Sequence, residues 1–170
     1  MLSFPAKAEK VEVFHAVQTY LEEQGFVLTF KDDARPWGGF YYIEEGQAPQ
    51  FISEFFPRLN LADFRGFDKL SPKILLVAPG KRLSWQYHRR RSEIWKVIGG
   101  KAGVIVSDTE EETPVRTLAP GEGISLKQRQ CHRLVGLDEW GLVAEIWQHT
   151  DPVRPSDEED IVRLQDDFGR

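Results

Sequence analysis

The stretch QYHRRRSEIW, residues 86–95, carries residue types that bind metals, at a spacing that can bring them together. Alternate residues of a β-strand share a face, so Gln86 and His88 point to the same side. Glu93 follows after an interval long enough for a tight turn to return the next strand beside the first. His132, in CHRLVG, begins another predicted strand in a comparable position. Together these residues form a nitrogen and oxygen ligand set that suits a divalent transition metal with open positions for water or substrate.

A run of arginines lies between these candidate ligands. Alternation predicts that Arg90 shares the inner face with the ligands, that Arg91 lies in the turn and that Arg89 points to solvent. The planar guanidinium group grips phosphate through two hydrogen bonds. Arg90 and Arg91 are therefore expected either to contact an anionic substrate or to form structural salt bridges with the many carboxylates.

One amphipathic helix and a series of short strands must position these residues. Residues 7–24 have apolar side chains at helical spacing, and Phe14, Val17 and Leu21 are expected to pack on the outside of a barrel. A second short helix is predicted over residues 48–59. Further on, short runs rich in β-branched and aromatic residues predict a sandwich or barrel. These runs are FVLTF, GGFYYIE, KILLVAP, RLSWQYH, IWKVIG, AGVIVSD, VRTLAP, GISLK, CHRLVG and LVAEIWQH.

Two polar segments interrupt or follow these runs. DTEEET, residues 108–113, is predicted to be an exposed hairpin tip. The acidic tail RPSDEEDIVRLQDDFGR is predicted to be helical or irregular around Ile161, Val162 and Leu164.

The length of the chain favours a single folded unit. Its 170 residues, 41% of them hydrophobic, can bury a substantial core. We expect one domain over residues 1–170, with the helix in 1–25, the barrel in 26–150 and a tail in 151–170 that packs on the barrel.

Composition also bounds the location and the partners. The single cysteine, Cys131, excludes an intrachain disulfide, and neither a signal peptide nor a membrane-spanning run is recognisable, so we expect a cytoplasmic protein without a membrane partner. A net charge of -5 argues against nucleic acid as the main partner. Exposed sheet edges and a separate helix make a homodimer plausible.

The chain resembles the cupin superfamily and, within it, the type II phosphomannose isomerases. The similarity is carried by RPWGGFYYI, KILLVAPGKRLSWQYHRRRSEIWKVIGGKAGV, LAPGEGISLKQRQCHRLVG and DEEDIVRLQDDFGR. It implies an all-β jelly-roll barrel, the cupin double-stranded β-helix, with a metal held by Gln86, His88, Glu93 and His132. Zinc is expected first, with manganese, iron, cobalt or nickel as alternatives. Arg163, in DIVRLQDD, matches the closing motif of the family and is expected to face the substrate.

The reaction that this resemblance implies is the interconversion of mannose 6-phosphate and fructose 6-phosphate. A proton must leave C2 and return at C1, so the site needs an electrophile for the substrate oxygen and a base near the carbon. The metal supplies the electrophile, and Arg90, Arg91 and Arg163 are the candidates for the sugar phosphate. A metal-bound hydroxide, Glu145 and His149 are the candidate bases.

Two other functions stay open from the sequence. Lys127 and Arg129 stand where the second family motif has Pro and Gly, which motivates a non-catalytic sugar-phosphate-binding cupin. A metal-dependent cupin oxygenase that uses iron is less favoured, because the Gln ligand and the arginines suit a phosphate-bearing substrate.

Overall fold

The N-terminal segment forms the amphipathic helix that its apolar spacing predicts. The computed structural model describes residues 2–170, and helix α1 covers Lys10–Glu23. Glu9 has an extended backbone and forms a capping box with Glu12, so the helix begins later than predicted. Gly25 follows with φ of 82°, which a glycine adopts without strain and which ends the helix.

Short antiparallel strands are the main regular structure of the remaining chain. Apart from the last strand, they fall within or beside the predicted runs, and the second helix ends two residues before Pro57. The bounds are β1 Leu28–Asp32, β2 Gly38–Ile43, α2 Ala48–Phe55, β3 Lys73–Val77, β4 Trp85–Tyr87, β5 Arg91–Gly99, β6 Ala102–Ser107, β7 Arg116–Leu118, β8 Gly123–Leu126, β9 Cys131–Gly136, β10 Gly141–His149 and β11 Val162–Gln165.

The strands form two sheets that enclose the barrel interior. The larger sheet has the order β1-β2-β3-β10-β5-β8, and the smaller has the order β11-β4-β9-β6-β7. In the smaller sheet, β4 pairs with β9 through Gln86 and His132. This arrangement is the double-stranded β-helix of the cupin fold, as predicted. The interior core includes Leu75, Trp95, Val97, Val104, Leu134 and Val143.

A second hydrophobic layer covers the outer face of the larger sheet. Phe14, Val17 and Leu21 of α1 are buried in it, which confirms the predicted packing of this helix. The Phe14 ring lies 5.6 Å from the ring of Tyr41 on β2, and the Tyr41 hydroxyl donates a hydrogen bond to the Phe14 carbonyl oxygen. Burying such a side chain typically contributes about 1.5–3 kcal/mol. The helices therefore stabilise the sheet from the side opposite the cavity.

The acidic tail contains a strand, so the prediction of a helical or irregular segment there was wrong. β11 pairs antiparallel with β4 and sets Arg163 opposite Gln86. Apolar and polar residues alternate along β11, which is the period of a strand. Buried Arg133 of β9 donates to the carbonyl oxygen of Gln165 at 3.1 Å. The tail thus extends the smaller sheet and brings Arg163 to the mouth of the barrel.

Residues 108–113 connect β6 to β7 and are exposed, in agreement with the predicted hairpin tip. No helix of the described residues is both long and apolar enough to cross a membrane.

Candidate metal centre

Two imidazoles and one carboxylate converge inside the barrel. His88 follows β4, Glu93 lies on β5 and His132 lies on β9. One ligand atom from each of these residues lies within 4.8 Å of the others. Glu93 Oε1 is 3.2 Å from Nε2 of His88, and Glu93 Oε2 is 3.4 Å from Nε2 of His132. We refer to His88, Glu93 and His132 as the triad.

Backbone carbonyl groups determine which nitrogen of each histidine faces the carboxylate. Nδ1 of His88 is 2.6 Å from the Asp160 carbonyl oxygen, and Nδ1 of His132 is 2.9 Å from that of Gln130. A ring nitrogen against a carbonyl oxygen carries the proton, so Nε2 of each histidine presents a lone pair. His132 Nε2 and Glu93 Oε2 are buried without a hydrogen-bond partner among the described residues. A buried polar atom without a partner lowers the stability of the fold unless a ligand binds it. A divalent cation fits this set of donor atoms.

The charge state of the triad also suits a metal. Burial lowers the pKa of His88 to about 3, so its imidazole is neutral at physiological pH and can bind a metal. Burial opposes the ionisation of Glu93, but its interactions with His88 and Arg91 hold its pKa well below the usual range. The triad therefore combines a neutral imidazole at His88 with an ionised carboxylate at Glu93.

Gln86 lies beside the triad, in the smaller sheet. Its amide nitrogen is 3.4 Å from Nε2 of His88, while its amide oxygen accepts a hydrogen bond from the Ser84 hydroxyl. A half-turn of the amide group would exchange these two atoms. Gln86 is thus adjacent to the metal site, and its role as a ligand stays a prediction.

A cavity opens against the triad and is rich in positive charge. His88 and Glu93 line it, together with Arg35, Arg163 and Arg170. Arg35 and Arg170 each pair with an aspartate, whereas Arg163 has no such ion pair among the described residues. Burial and the charges of Arg170 and Arg35 lower the pKa of Arg163. The cavity therefore offers a free guanidinium group to an anion.

A lysine and a glutamate face each other in the same cavity. Lys73 of β3 is the cross-strand partner of Glu145 of β10, and its Nζ lies 3.7 Å from Glu145 Oε2 and 2.5 Å from Glu158 Oε1. Trp95 donates a hydrogen bond to Glu145 Oε1 at 2.9 Å. Burial and the charge of Glu93 raise the pKa of Glu145 to about 7. Glu145 can therefore exchange a proton near neutral pH.

Arg91 points into the barrel as the first residue of β5. Its guanidinium donates to Glu93 Oε1 at 2.7 Å and lies 3.1 Å from Nε2 of His88. It also donates to the Ser156 hydroxyl at 2.8 Å and stacks 3.6 Å from the centre of the Trp147 ring. Arg91 is only 5% exposed. These contacts hold Arg91 against Glu93. This agrees with the expectation that Arg91 forms a structural salt bridge, the alternative to contacting an anionic substrate.

Comparison with protein families places this site in context. A family model described as Mannose-6-phosphate isomerase C-terminal matches residues 64–166, which include the triad and Arg163. The chain belongs to this family. The match spans more than half of the chain and runs from the segment before β3 to the end of β11. No curated protein matches the chain.

Solved structures similar to this family member share its fold at low sequence identity. KdgF from Halomonas sp. has a TM-score of 0.52 and 16% identity, over 76% of this chain and 89% of that chain. The capsular polysaccharide assembling protein CapF from Staphylococcus aureus has a TM-score of 0.52 and 14% identity, over 82% and 34%. Oxalate decarboxylase from Lactobacillus farciminis has a TM-score of 0.52 and 16% identity, over 79% and 33%. The chain spans about a third of the length of the last two proteins, and these similarities establish the fold alone.

In this member of the Mannose-6-phosphate isomerase C-terminal family, Arg90 lies outside the cavity, contrary to the alternation argument. β4 ends at Tyr87 and the chain bends at Arg89 and Arg90, so alternation does not continue to Arg90. Arg90 Nη2 instead lies 3.4 Å from a carboxylate oxygen of Asp157. Arg91 takes the inner position that was expected for Arg90.

His149 also lies away from the cavity lining. It ends β10, where its Nε2 is 3.0 Å from the Ser71 hydroxyl oxygen. Burial, followed by the positive charges of Lys69 and Arg91, lowers the pKa of His149 to about 4. Of the two candidate side-chain bases, Glu145 lines the cavity of this family member and His149 does not.

Sequence reasoning missed several charged residues of the cavity. Arg35 and Arg170 lie in the quoted RPWGG and FGR stretches, so the resemblance could have indicated them. Lys73 begins the apolar run KILLV, and its position on the face of Leu75 was the available signal. Lys73 is 3% exposed. Its Nζ lies over the rings of Phe40, Tyr42 and Trp147 at 4.2, 4.7 and 4.5 Å.

Proposed function

We propose that the protein is a metal-dependent sugar-phosphate isomerase that interconverts mannose 6-phosphate and fructose 6-phosphate. The observation that carries this proposal is that two residues of a triad able to hold a metal, His88 and Glu93, line one cavity with the unpaired guanidinium of Arg163. The family match supports the isomerase class.

In this proposal, His88, Glu93 and His132 hold the metal, with Gln86 beside them. When bound, a divalent ion supplies Lewis-acid polarisation of the substrate oxygens. The hydrogen bonds from Nδ1 of each histidine keep both Nε2 atoms directed at that position. Arg91 orients the carboxylate of Glu93 through its hydrogen bond at 2.7 Å.

Arg163 binds the phosphate group at the mouth of the cavity. A sugar phosphate carries nearly two negative charges at neutral pH, and a guanidinium group binds such an oxyanion with charge-assisted hydrogen bonds. Arg35 and Arg170 add positive charge to the same wall. Their aspartate partners leave Arg163 as the cation with the most free donors.

Glu145 transfers the proton between C2 and C1 of the sugar. The Trp95 hydrogen bond holds Oε1, and Oε2 has no hydrogen-bond partner among the described residues. A pKa of about 7 is close to the value that suits a group that must take up and return a proton. Lys73, 3.7 Å from Oε2, stabilises the ionised form.

The test is an assay of the purified, metal-loaded protein with mannose 6-phosphate and, in parallel, with free mannose. A charge-assisted hydrogen bond is worth about 1.5–3 kcal/mol, so Arg163→Ala should lower kcat/KM roughly ten- to more than a hundredfold. Arg89→Ala, which removes an exposed arginine outside the cavity, is the matched control and should change little. Equal use of free mannose, or an equal loss in Arg89→Ala, would contradict the proposal.

Glu145 has a separate test in the pH profile of the same reaction. Since the carboxylate must be ionised to accept the C2 proton, kcat/KM should fall as the pH falls through about 7. Glu145→Gln should abolish turnover while mannose 6-phosphate still binds. A Glu145→Gln variant that retains turnover with the same profile would exclude this residue as the base.

Arg91 favours a second candidate, a sugar-phosphate-binding protein without catalytic activity. Its guanidinium hydrogen-bonds atoms of both Glu93 and His88 that would otherwise face a metal. This candidate predicts that mannose 6-phosphate binds by calorimetry, with Arg163→Ala weakening the binding, and that no turnover occurs with any added divalent metal.

A further inference from the structure

A second positively charged pocket lies on the outside of the barrel, behind the segment that carries His88. It is an open pocket that shares no lining residue with the metal cavity. Three loops build it: the bend between β4 and β5, the loop between β8 and β9, and the segment after β10. We call it the outer arginine pocket, and its lining comprises Arg89, Arg90, Gln128, Arg129, Thr150, Asp151, Pro152 and Arg154.

The charges of this pocket are not balanced from within. Asp151 is the acidic residue of the lining, and it pairs with Arg154 at 3.5 Å. Arg89 and Arg129 are exposed and have no carboxylate within 4.0 Å among the described residues. Arg90 lies 3.4 Å from a carboxylate oxygen of Asp157 and 3.9 Å from one of Asp160, but its Nε is buried and has no hydrogen-bond partner among the described residues. In a chain with a net charge of -5, the unpaired guanidinium groups of Arg89 and Arg129 concentrate positive charge in one depression, where it can attract an anion.

Main-chain hydrogen bonds hold the arginine-bearing loops against one another. The Arg129 N–H donates to the His88 carbonyl oxygen at 2.9 Å, and the Thr150 N–H donates to the Arg90 carbonyl oxygen at 2.9 Å. The Gln128 amide donates to the Arg89 carbonyl oxygen. Arg129 has φ of 64°, in the left-handed region that is unfavourable for a residue with a side chain. The loop geometry that turns this arginine into the pocket is thus maintained at a local cost.

The bend itself is held by a buried carboxylate. Asp160 accepts hydrogen bonds from the N–H groups of Arg89 and Arg90 at 3.0 and 2.9 Å and from the Ser156 hydroxyl at 2.6 Å. Its carbonyl oxygen also contacts Nδ1 of His88. The pocket wall therefore has a defined position before any ligand arrives, which lowers the entropic cost of binding.

We propose that the outer arginine pocket is a binding site for a phosphate group, separate from the site at the metal cavity. Guanidinium groups from separate loops can bind several phosphate oxygens at once, each with charge-assisted hydrogen bonds. The pocket is a single depression on an acidic protein rather than an extended basic stripe, which favours a small phosphorylated molecule over a nucleic acid. This proposal is independent of the isomerase reaction.

In the test, inorganic phosphate is titrated into the full chain at low ionic strength. Two-dimensional amide NMR measures the binding. Phosphate should shift the amide signals of residues 89–91 and 128–130. The double variant Arg89→Gln, Arg129→Asn should weaken that binding at least tenfold, and asparagine suits the left-handed conformation at position 129. Arg116→Gln, an exposed arginine on β7 outside both linings, is the matched control. Melting temperatures confirm that each variant is folded.

Arg163→Ala separates the two phosphate sites. It should leave the shifts at the outer pocket unchanged, whatever it does at the cavity. The proposal is overturned if phosphate shifts only cavity residues, if the double variant loses less than tenfold in affinity, or if Arg116→Gln weakens binding as much as the double variant.

Discussion

The two sides of the segment that joins β4 to β5 carry similar charge in opposite surroundings. On the inner side, Arg91 and Glu93 are buried and hydrogen-bonded to each other, and His88 Nε2 lies within 3.2 Å of the same carboxylate. On the outer side, Arg90 is partly exposed and pairs loosely with carboxylates at 3.4 and 3.9 Å, while Arg89 has no such pair among the described residues.

This difference shows that the consecutive arginines are not one functional unit. Moving a charged group from water into the protein interior costs free energy. Buried Arg91 is therefore stable only when its guanidinium group is paired and hydrogen-bonded. Arg89 is exposed to solvent and has no carboxylate partner among the described residues, so it can remain free for a ligand at little cost. Position relative to the bend therefore determines the role of each arginine, although their chemistry is the same.

The largest expected difference between the two sides is in metal binding. His88→Ala should lower metal affinity more than about 100-fold, because loss of a direct ligand exceeds the effect of losing an outer-shell contact. Elemental analysis after dialysis should find about one divalent metal ion per wild-type chain and almost none in the variant. Arg89→Ala and His15→Ala, which changes an exposed histidine of α1, should keep full occupancy. A fully occupied His88→Ala protein would exclude the triad as the metal site.

The two sides should also differ in stability when the protein is free of metal. Arg91→Ala leaves Glu93 as a buried, unpaired charge and should lower the free energy of unfolding by about 3–5 kcal/mol. Arg90→Ala breaks a partly exposed pair and should cost about 0–1 kcal/mol. Denaturant unfolding in the presence of a chelator measures both. Equal losses in the two variants would remove the distinction between the inner and outer sides.

Asp160 connects the two sides, and its removal should have an intermediate effect. Its carboxylate anchors the bend while its carbonyl oxygen orients His88. Asp160→Ala keeps this carbonyl group but removes the carboxylate that anchors the bend beside it, so metal affinity should fall toward the lower end of the roughly 10- to 100-fold loss that is typical for outer-shell partners of metal ligands. Asp157→Ala, which removes the exposed partner of Arg90, is the control and should leave metal affinity unchanged. Competition with a metal-binding dye provides the measurement.

The last expected difference is a pH dependence of stability, and it concerns His149, the cross-strand partner of Arg91. Its pKa is lowered to about 4 from a usual value of 6.5, so the unfolded chain binds a proton there that the folded chain does not. Stability should consequently fall as the pH falls from about 6.5 to about 4. His149→Asn lacks this contribution, so its free energy of unfolding should decrease less than that of the wild type over that range. Parallel curves for the two proteins would show that His149 does not titrate as described.

Much of the fold follows from patterns that involve only neighbours in the sequence. The apolar spacing of α1 specifies which face packs on the sheet, and short runs rich in β-branched and aromatic residues identify most strands, since both signals are local in the sequence. The spacing of His88 and Glu93 also predicts their approach, because a short bend returns β5 beside the preceding segment. These inferences needed no knowledge of distant contacts.

The remainder depended on contacts between segments far apart in the chain. The alternation argument failed at Arg90 because β4 ends at Tyr87, and that end is set by the bend that Asp160 holds. The acidic tail forms β11 because β4 offers an unpaired edge, which a four-residue segment alone cannot reveal. The opposition of Lys73 and Glu145 requires the register of β3 against β10. Strand register is a property of the folded sheet, and it is therefore the tertiary structure that decides which charges share the cavity and which remain outside.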